Sequence, residues 1–213
     1  NKLKIEKLIH LSALGIEEAS DSLYAKSKLE GERKLIKNFN DSIILRPSII
    51  YSVDDNFTTR FMELLSMFPI MPIYYGGKTK FSPIHVSDIV NIIYEIIESK
   101  NKSLIIECVG PEILTFKDII KILLNSINKK RLLIPLPKPI ANISAKILQL
   151  LPKPLLTEDQ LRLLKHDNII TGNYKNNFDL GLGAKKKFKD EIEKYSYNWK
   201  TGGQFSKTND VLN

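Results

Sequence analysis

The sequence contains almost no cysteine and no long apolar stretch. Its single cysteine, Cys108, can form neither a disulfide nor a cysteine-based metal site within the chain. Nothing approaches the roughly 20 consecutive apolar residues of a membrane-spanning helix, and no secretory signal sequence opens the chain. These absences predict a protein of a reducing compartment, located in the cytoplasm.

Arginine is scarce among the basic residues. The net charge is +8, from 32 basic against 24 acidic residues, but only five of the basic residues are arginines. Proteins that bind nucleic acid favour arginine, because its planar guanidinium group forms paired hydrogen bonds with phosphates and base edges. The densest basic run, Lys185–Lys187, is short enough to be an ordinary solvated surface. We therefore expect no nucleic-acid partner.

The first third of the chain has an alternating strand and helix pattern. Short apolar runs over Lys7–Leu11 and Ser42–Leu45 predict buried strands, and the segment Ser22–Lys37 between them has helical spacing. A strand, a helix and a strand at this spacing are typical of a parallel βαβ unit. A further strand is predicted over Leu104–Val109.

The rest of the chain predicts mainly helices. They are expected over about 57–67, 88–98, 115–128, 140–151 and 157–166, with a turn at Gly76–Gly77. After Asp167 the pattern weakens, and residues 201–213 are expected to be a flexible tail.

The residues that most suggest chemistry are Tyr24 and Lys28. They are four positions apart in a predicted helix and therefore share one face of it. An ammonium group beside a phenol lowers the phenol pKa and makes it a usable proton donor or acceptor. The alternative is a surface tyrosine that packs along a lysine side chain.

Four segments together match a known pattern in order and spacing: Leu8–Gly15, Tyr24–Glu32, Leu45–Tyr51 and Phe81–Val90. On these residues the chain resembles the short-chain dehydrogenase/reductase superfamily. The similarity is to its extended and atypical branch, the NAD(P)-dependent epimerases, dehydratases and reductases.

A narrower resemblance rests on Ile9–Ala13, Gly76–Pro83 and Leu133–Pro137. These segments are similar to an atypical group that contains the NAD(P)H-binding accessory subunit of respiratory complex I and its bacterial relatives. A related group is linked to ubiquinone biosynthesis.

The resemblance implies a set of site residues. Tyr24 matches the catalytic tyrosine of the family, and Lys28 matches the lysine that contacts the nicotinamide ribose. The turn formed by Pro47, Ser48, Ile49 and Ile50 matches the segment that packs beside the nicotinamide. The cofactor implied is NAD(P)H, with NAD against NADP undecided.

The catalytic serine or threonine of the family is displaced in this chain. Extended members carry two small polar residues after the first matching strand, and the second is catalytic; here the pair is Ser12–Ala13. Ser12 is the remaining candidate for a catalytic hydroxyl. Loss of a donor that polarises a substrate carbonyl costs on the order of 10²-fold or more in rate.

The family's glycine-rich fingerprint, Gly-x-x-Gly-x-x-Gly, is absent from the sequence. We therefore expect an α/β fragment that lacks the pyrophosphate-binding half and is inactive alone. Residues 1–52 would form the C-terminal part of a Rossmann domain with a doubly wound parallel sheet. Residues 53–200 would form a smaller α/β substrate or docking domain, with a strand near 104–109 returning to the sheet.

Two functions follow from the resemblance. The first is an accessory or assembly subunit that uses the nucleotide structurally, with respiratory complex I subunits as partners. The second is an active NAD(P)-dependent oxidoreductase or epimerase that uses Tyr24 and Lys28 on a quinone precursor, nucleotide sugar or isoprenoid.

The amphipathic helix predicted over 140–151, flanked by prolines and lysines, bears on the first function. It is either an ordinary core helix or a contact with a partner subunit or the inner face of the respiratory membrane. No metal site is predicted, because neither His10 nor His166 has partners at ligand spacing. The resemblance implies structural roles for His85, near the end of a strand, and for Asp88, which opens a helix.

Overall fold

A computed structural model describes residues 5–137 and 157–205 of the chain. The helix predicted over 140–151, and the membrane or partner contact suggested for it, lie outside the described residues. So does most of the predicted tail.

The described residues form ten strands and six helices. The strands are β1 (Leu8–Leu11), β2 (Ser42–Pro47), β3 (Ile50–Tyr51), β4 (Ile70–Ile73), β5 (Lys80–Phe81), β6 (Ile84–His85), β7 (Leu104–Cys108), β8 (Leu114–Thr115), β9 (Leu132–Pro135) and β10 (Lys175–Asn176). The helices are α1 (Leu23–Asn38), α2 (Thr58–Met67), α3 (Val86–Glu98), α4 (Phe116–Ser126), α5 (Glu158–Leu163) and α6 (Phe188–Tyr195).

The central sheet is parallel, with its strands in the order β1, β2, β7, β10. Every residue of β2 is buried, as expected for a central strand covered on both faces. Ile43 and Leu45 pack in the cluster formed with α3, whereas Arg46 binds Glu32 of α1, so the two helices cover opposite faces. The predicted α/β class with a parallel, Rossmann-like sheet is confirmed.

Helices α1 and α4 begin where the sequence supplies a capping side chain. The Ser22 hydroxyl accepts a hydrogen bond from the Ala25 backbone N–H at the start of α1. Thr115 and Asp118 form a reciprocal capping box at the start of α4. These local signals explain why the boundaries of the predicted helices agree closely with the observed ones.

A second core lies outside the parallel sheet. Helices α2, α4 and α6 meet there, and the small sheets β4–β9 and β5–β8 lie beside them. Its fully enclosed side chains include Met62, Leu65, Phe116, Ile120 and Ile192. This core lies where the sequence predicts a smaller domain, although the boundaries 1–52 and 53–200 stay a prediction.

The region after Asp167 is more ordered than the sequence indicates. It contributes β10 to the edge of the parallel sheet and α6 to the second core. Phe188 and Trp199 from this region are buried. The sequence pattern that would predict these two elements is weak, because β10 has two residues and α6 has eight. Lysine and asparagine residues also surround both elements.

A turn forms at Gly76–Gly77, but its flanking strands do not pair with each other. Strand β4 pairs with β9, and β5 pairs with β8. Gly77 has φ +69°, and a Cβ there would lie 2.8 Å from the side chains of both Ile73 and Lys117. Glycine is therefore required by conformation and by space.

A buried ion-pair network joins the sheet to α1. The Arg46 guanidinium binds the Glu32 carboxylate through two hydrogen bonds, of 3.0 and 2.7 Å. It also donates to Glu17 at 3.0 Å and lies 4.5 Å from the centre of the Tyr174 ring. The Tyr174 hydroxyl donates to Glu17 at 2.8 Å, so four side chains share one charge network.

We expect Glu32→Ala to lower the free energy of unfolding by about 3 kcal/mol, because it leaves the buried Arg46 guanidinium without its bidentate carboxylate partner. Glu17→Ala is the matched control. The Glu17 side chain is 37% exposed, so its loss should cost about 1 kcal/mol or less. Urea unfolding of both variants measures the difference. Equal losses would mean that burial does not govern the strength of this network.

Candidate functional site

A cavity of about 330 Å³ lies where the carboxyl ends of β1 and β2 meet the second core. Its lining includes Ala13, Leu14, Gly15, Ile16, Ala19, Tyr24, Pro47, Ser48, Ile49, Asn56, Phe57, Arg60, Phe61, Leu64, Phe81, Phe116, Gln160, Leu163, Leu164, His166, Asp167 and Asn168. In open parallel sheets, ligands bind outside the carboxyl ends of the strands, which is where this cavity lies.

Tyr24 lines the cavity, whereas Lys28 is not among the lining residues. The Lys28 ammonium lies 5.8 Å from the centre of the Tyr24 ring and donates a 3.3 Å hydrogen bond to the Leu11 carbonyl. The expectation that Lys28 lowers the phenol pKa is wrong for this arrangement. Burial raises the pKa of Tyr24, since the removal of water disfavours the charged phenolate.

Of the pair Ser12–Ala13, it is Ala13 that lines the cavity. Ser12 is buried, and its hydroxyl has no hydrogen-bond partner among the described residues. The Ser12 backbone N–H donates to the Leu45 carbonyl at 2.7 Å, which extends the β1–β2 pairing. The cavity wall therefore has a methyl group where the resemblance implies a catalytic hydroxyl, and the role of Ser12 stays a prediction.

The turn after β2 is divided between the cavity and the core. Pro47, Ser48 and Ile49 line the cavity. Ile50 begins β3 and packs against the cluster under α3. Three of the four predicted nicotinamide contacts are thus together with Tyr24.

Asn168, which no sequence motif indicates, joins the loops around the cavity. Its amide nitrogen donates to the Leu14 carbonyl at 2.7 Å, and its amide oxygen accepts from the Ser48 hydroxyl at 2.6 Å. Its backbone donates to the Lys80 carbonyl and accepts from Ser82. This one residue joins the loops after β1 and β2 to β5. A single asparagine in a loop gives no periodic signal by which to find it.

Asp159 of α5 fixes the start of the helix that carries Tyr24. Its carboxylate accepts from the backbone N–H groups of Leu23 and Tyr24, at 2.8 and 3.0 Å, and from the Ser22 hydroxyl at 2.9 Å. Burial alone would raise the pKa of Asp159, but the Tyr24, Leu23 and Ser22 hydrogen bonds outweigh it, so the pKa is lowered. An acceptor at a helix N-terminus also interacts favourably with the helix dipole.

His85 and Asp88 have structural partners, and Cys108 is buried. His85 precedes α3 and its ring contacts the Ser87 hydroxyl at 2.8 Å, while burial lowers the His85 pKa. Asp88 accepts hydrogen bonds from the Lys185 and Lys186 backbone. Burial raises the pKa of the Cys108 thiol to about 12.

Two absences concern the described residues alone. Within 5–137 and 157–205, no group of three or more histidine, cysteine, aspartate or glutamate side chains could hold a metal ion. Across the same ranges, no helix has both the length and the apolar character to cross a membrane.

No family model matches the chain. Curated relatives do match it. The chain is 25% identical over 210 residues to NADH dehydrogenase [ubiquinone] 1 alpha subcomplex subunit 9, mitochondrial, of Arabidopsis thaliana, covering 93% of this chain and 52% of that protein. It is 25% identical over 183 residues to the NADH-ubiquinone oxidoreductase 40 kDa subunit of Neurospora crassa, covering 85% and 48%.

Solved structures match the fold. The UDP-glucuronic acid 4-epimerase of Bacillus cereus, solved with UDP-glucuronic acid and NAD, has a TM-score of 0.60 at 19% identity, covering 91% of this chain and 62% of that one. The UDP-glucose 4-epimerase of Thermus thermophilus, solved with NAD, has a TM-score of 0.63 at 15% identity, covering 92% and 64%.

The chain is similar to subunits of mitochondrial NADH dehydrogenase, and it shares its fold with nucleotide-sugar epimerases solved with NAD. The resemblance inferred from the sequence motifs is thereby confirmed. The chain spans about half the length of these two curated relatives.

We expect Asp159→Asn to lower the free energy of unfolding at pH 7 by about 1 kcal/mol, because a neutral cap binds the α1 N–H groups less strongly. A carboxyl whose pKa is lowered by folding stabilises the protein above its unfolded pKa, about 3.9. That stability disappears as the pH falls through the folded pKa. The difference between variant and parent should therefore shrink below about pH 4.

Denaturant unfolding across pH 3–7 measures the Asp159 effect. Asp54→Asn, which removes an exposed loop carboxylate, is the control and should leave stability unchanged at every pH. A constant difference between Asp159→Asn and the parent across this range would contradict the assigned cap.

Proposed function

We propose that this chain is part of an accessory subunit of respiratory complex I that binds NAD(P)H as a structural ligand. The observation that carries the proposal is the similarity to a complex I subunit over 93% of the chain. The alanine at the cavity position expected to hold a catalytic hydroxyl supports it. The whole subunit's partners and nucleotide are part of the proposal.

The residues around the cavity fit the nicotinamide end of such a nucleotide. Pro47 and Ile49 provide an apolar surface, Tyr24 lies beside them, and Lys28 is within 5.8 Å of the tyrosine ring. A bound NAD(P)H would supply a transferable hydride. The phosphate end needs backbone donors of a glycine-rich loop, and the ten glycines of this chain never take that spacing.

Two features favour binding over turnover. Ala13 offers no donor to polarise a carbonyl, a contribution on the order of 10²-fold or more in enzymes that have it. Burial raises the pKa of Tyr24, whereas an efficient acid–base group has a pKa near the working pH. Tyr24 then acts as a hydrogen-bond donor that positions the nucleotide.

A second candidate is an active NAD(P)-dependent oxidoreductase or epimerase. The position of Tyr24 in the cavity wall favours it, because a phenol there can donate a proton to a substrate oxygen or accept one. Under this candidate the partner is a small-molecule substrate and Ser12 supplies the second hydroxyl.

The proposed location is peripheral, on the inner face of the respiratory membrane. The similarity to mitochondrial complex I subunits supports association with that complex. Contact of residues 140–151 with the membrane or a partner remains part of this proposal.

The decisive experiment is a native gel of detergent-solubilised membranes from the source organism, probed for this protein. Under the proposed function the band migrates with NADH dehydrogenase activity. A small, free species without that activity would reject the subunit and favour the enzyme.

We expect Tyr24→Phe to leave assembly into the complex unchanged, because the phenyl ring keeps the cavity wall and only the hydroxyl is lost. If the protein were an enzyme using this phenol, turnover would fall by roughly 10²-fold or more. Tyr94→Phe, which changes a 61% exposed tyrosine on α3, is the matched control. NADH dehydrogenase activity and co-migration of both variants measure the outcome.

A further inference from the structure

The basic run Lys185–Lys187, here called the lysine turn, is anchored to the rest of the fold. The Asp88 carboxylate of α3 accepts hydrogen bonds from the first two backbone N–H groups of the run, at 3.2 and 3.1 Å. The Glu112 carboxylate, between β7 and β8, accepts from the Phe188 N–H at 2.7 Å. Two separate parts of the chain therefore fix the backbone of the turn.

An aromatic contact holds the turn on its buried side. Phe188, which follows the turn and begins α6, is 1% exposed, and its ring centroid lies 4.8 Å from that of Tyr51. The Tyr51 hydroxyl also donates to the Lys186 carbonyl at 3.3 Å. Because these contacts order the turn before a partner arrives, binding there loses little conformational entropy.

The lysine turn carries positive charge that the protein's own carboxylates leave unpaired. Lys185 and Lys187 are exposed, and neither forms an ion pair within residues 5–137 and 157–205. The ammonium of Lys186 lies 3.3 Å from the Glu191 carboxylate, which also binds Lys194 at 2.7 Å. The two carboxylates that anchor the turn are engaged by the backbone. Two lysines with a fixed backbone are thus exposed without a counter-charge.

Aliphatic side chains lie beside the residues that hold the turn. Ile113, next to Glu112, is 64% exposed, and Val53, two residues after Tyr51, is 48% exposed. Asp190, in the first turn of α6, is the exposed carboxylate closest in sequence to the lysine turn. Exposed apolar side chains next to polar or charged ones are typical of surfaces that bind other proteins.

We propose that the lysine turn, together with Ile113 and Val53, docks an acidic segment of another protein. Carboxylates of that segment pair with Lys185 and Lys187, and an aliphatic side chain of the segment covers Ile113. Complementary charge of this kind steers association and fixes the register of the partners. The inference goes beyond the proposed function, because it does not depend on which complex the protein joins.

The chemistry of the turn favours a polypeptide over a lipid surface or a nucleic acid. Attraction to a membrane sums over clusters of about 4–8 basic residues and needs no fixed backbone, whereas here two unpaired lysines are held in one arrangement. Nucleic-acid contacts favour the arginine guanidinium, and the turn contains no arginine.

Fluorescence anisotropy of a labelled peptide of alternating glutamate and leucine tests the proposal at about 0.15 M salt, where long-range attraction is screened. We expect saturable binding by the intact protein. The double variant Lys185→Glu, Lys187→Glu should bind about tenfold more weakly or less, because it reverses both charges. Lys26→Glu with Lys37→Glu is the matched control. It makes the same charge change on exposed lysines of α1, on the face of the sheet opposite α3, and should bind as the parent does.

A second pair of variants tests the apolar contact without a change of charge. Ile113→Ser should weaken binding about fivefold, because less apolar area is removed from water. Ile36→Ser, which changes a 46% exposed isoleucine on α1, should leave binding unchanged. Thermal unfolding of each variant verifies that it is folded.

Absent binding, or equal binding by the lysine-turn variant and the α1 control, would overturn the proposal. So would phosphatidylglycerol vesicles or duplex DNA that displace the peptide as well as unlabelled peptide does, because the turn would then recognise negative charge alone. The assay does not involve assembly. A protein that binds the peptide but runs free of NADH dehydrogenase activity would reject the subunit role and keep this inference.

Discussion

The site depends on the hydrogen bonds of Asn168. Its amide links the loop after β1, through the Leu14 carbonyl, to the loop after β2, through the Ser48 hydroxyl. Its backbone adds β5 to the same junction. Because both amide atoms are used, the two loops and the second core keep one relative position. The shape of the cavity, and the position of the phenylalanine side chains that line it, follow from that constraint.

Much of the fold is predictable because several strands and helices are indicated by the residues within and beside them. The fully buried strand β2 and the capped helices α1 and α4 are indicated by their apolar patterns and end residues. Strand β10 and helix α6 are not. Strand β10 has two residues, and α6 lies among lysines, so tertiary packing on β7 and α4 decides their structure. Pairing of β4 with β9, 62 positions apart at Ile70 and Leu132, is equally absent from any local pattern.

The candidate site was predictable only where it follows a motif. Tyr24, Pro47, Ser48 and Ile49 come from such motifs and do line one cavity. Helical spacing placed Lys28 near Tyr24, but it could not show that Leu11 holds the ammonium or that burial dominates the phenol pKa. The residues that complete the walls, such as Phe61 and Asn168, belong to distant segments. Their proximity is a property of the fold and not of any window of sequence.

The separation of these segments has a consequence for how the protein is made. Asn168 and Leu14 are 154 positions apart, and Asp159 and Tyr24 are 135 apart. Contacts of such long range are slow to form, because the entropy of closing the chain is lost before they are gained. On the ribosome, β1, α1 and β2 emerge well before the residues that close the cavity over them. Until synthesis passes residue 168, the phenylalanine side chains that line the cavity lack the contacts that close it, and exposed apolar surface of this kind is what chaperones protect.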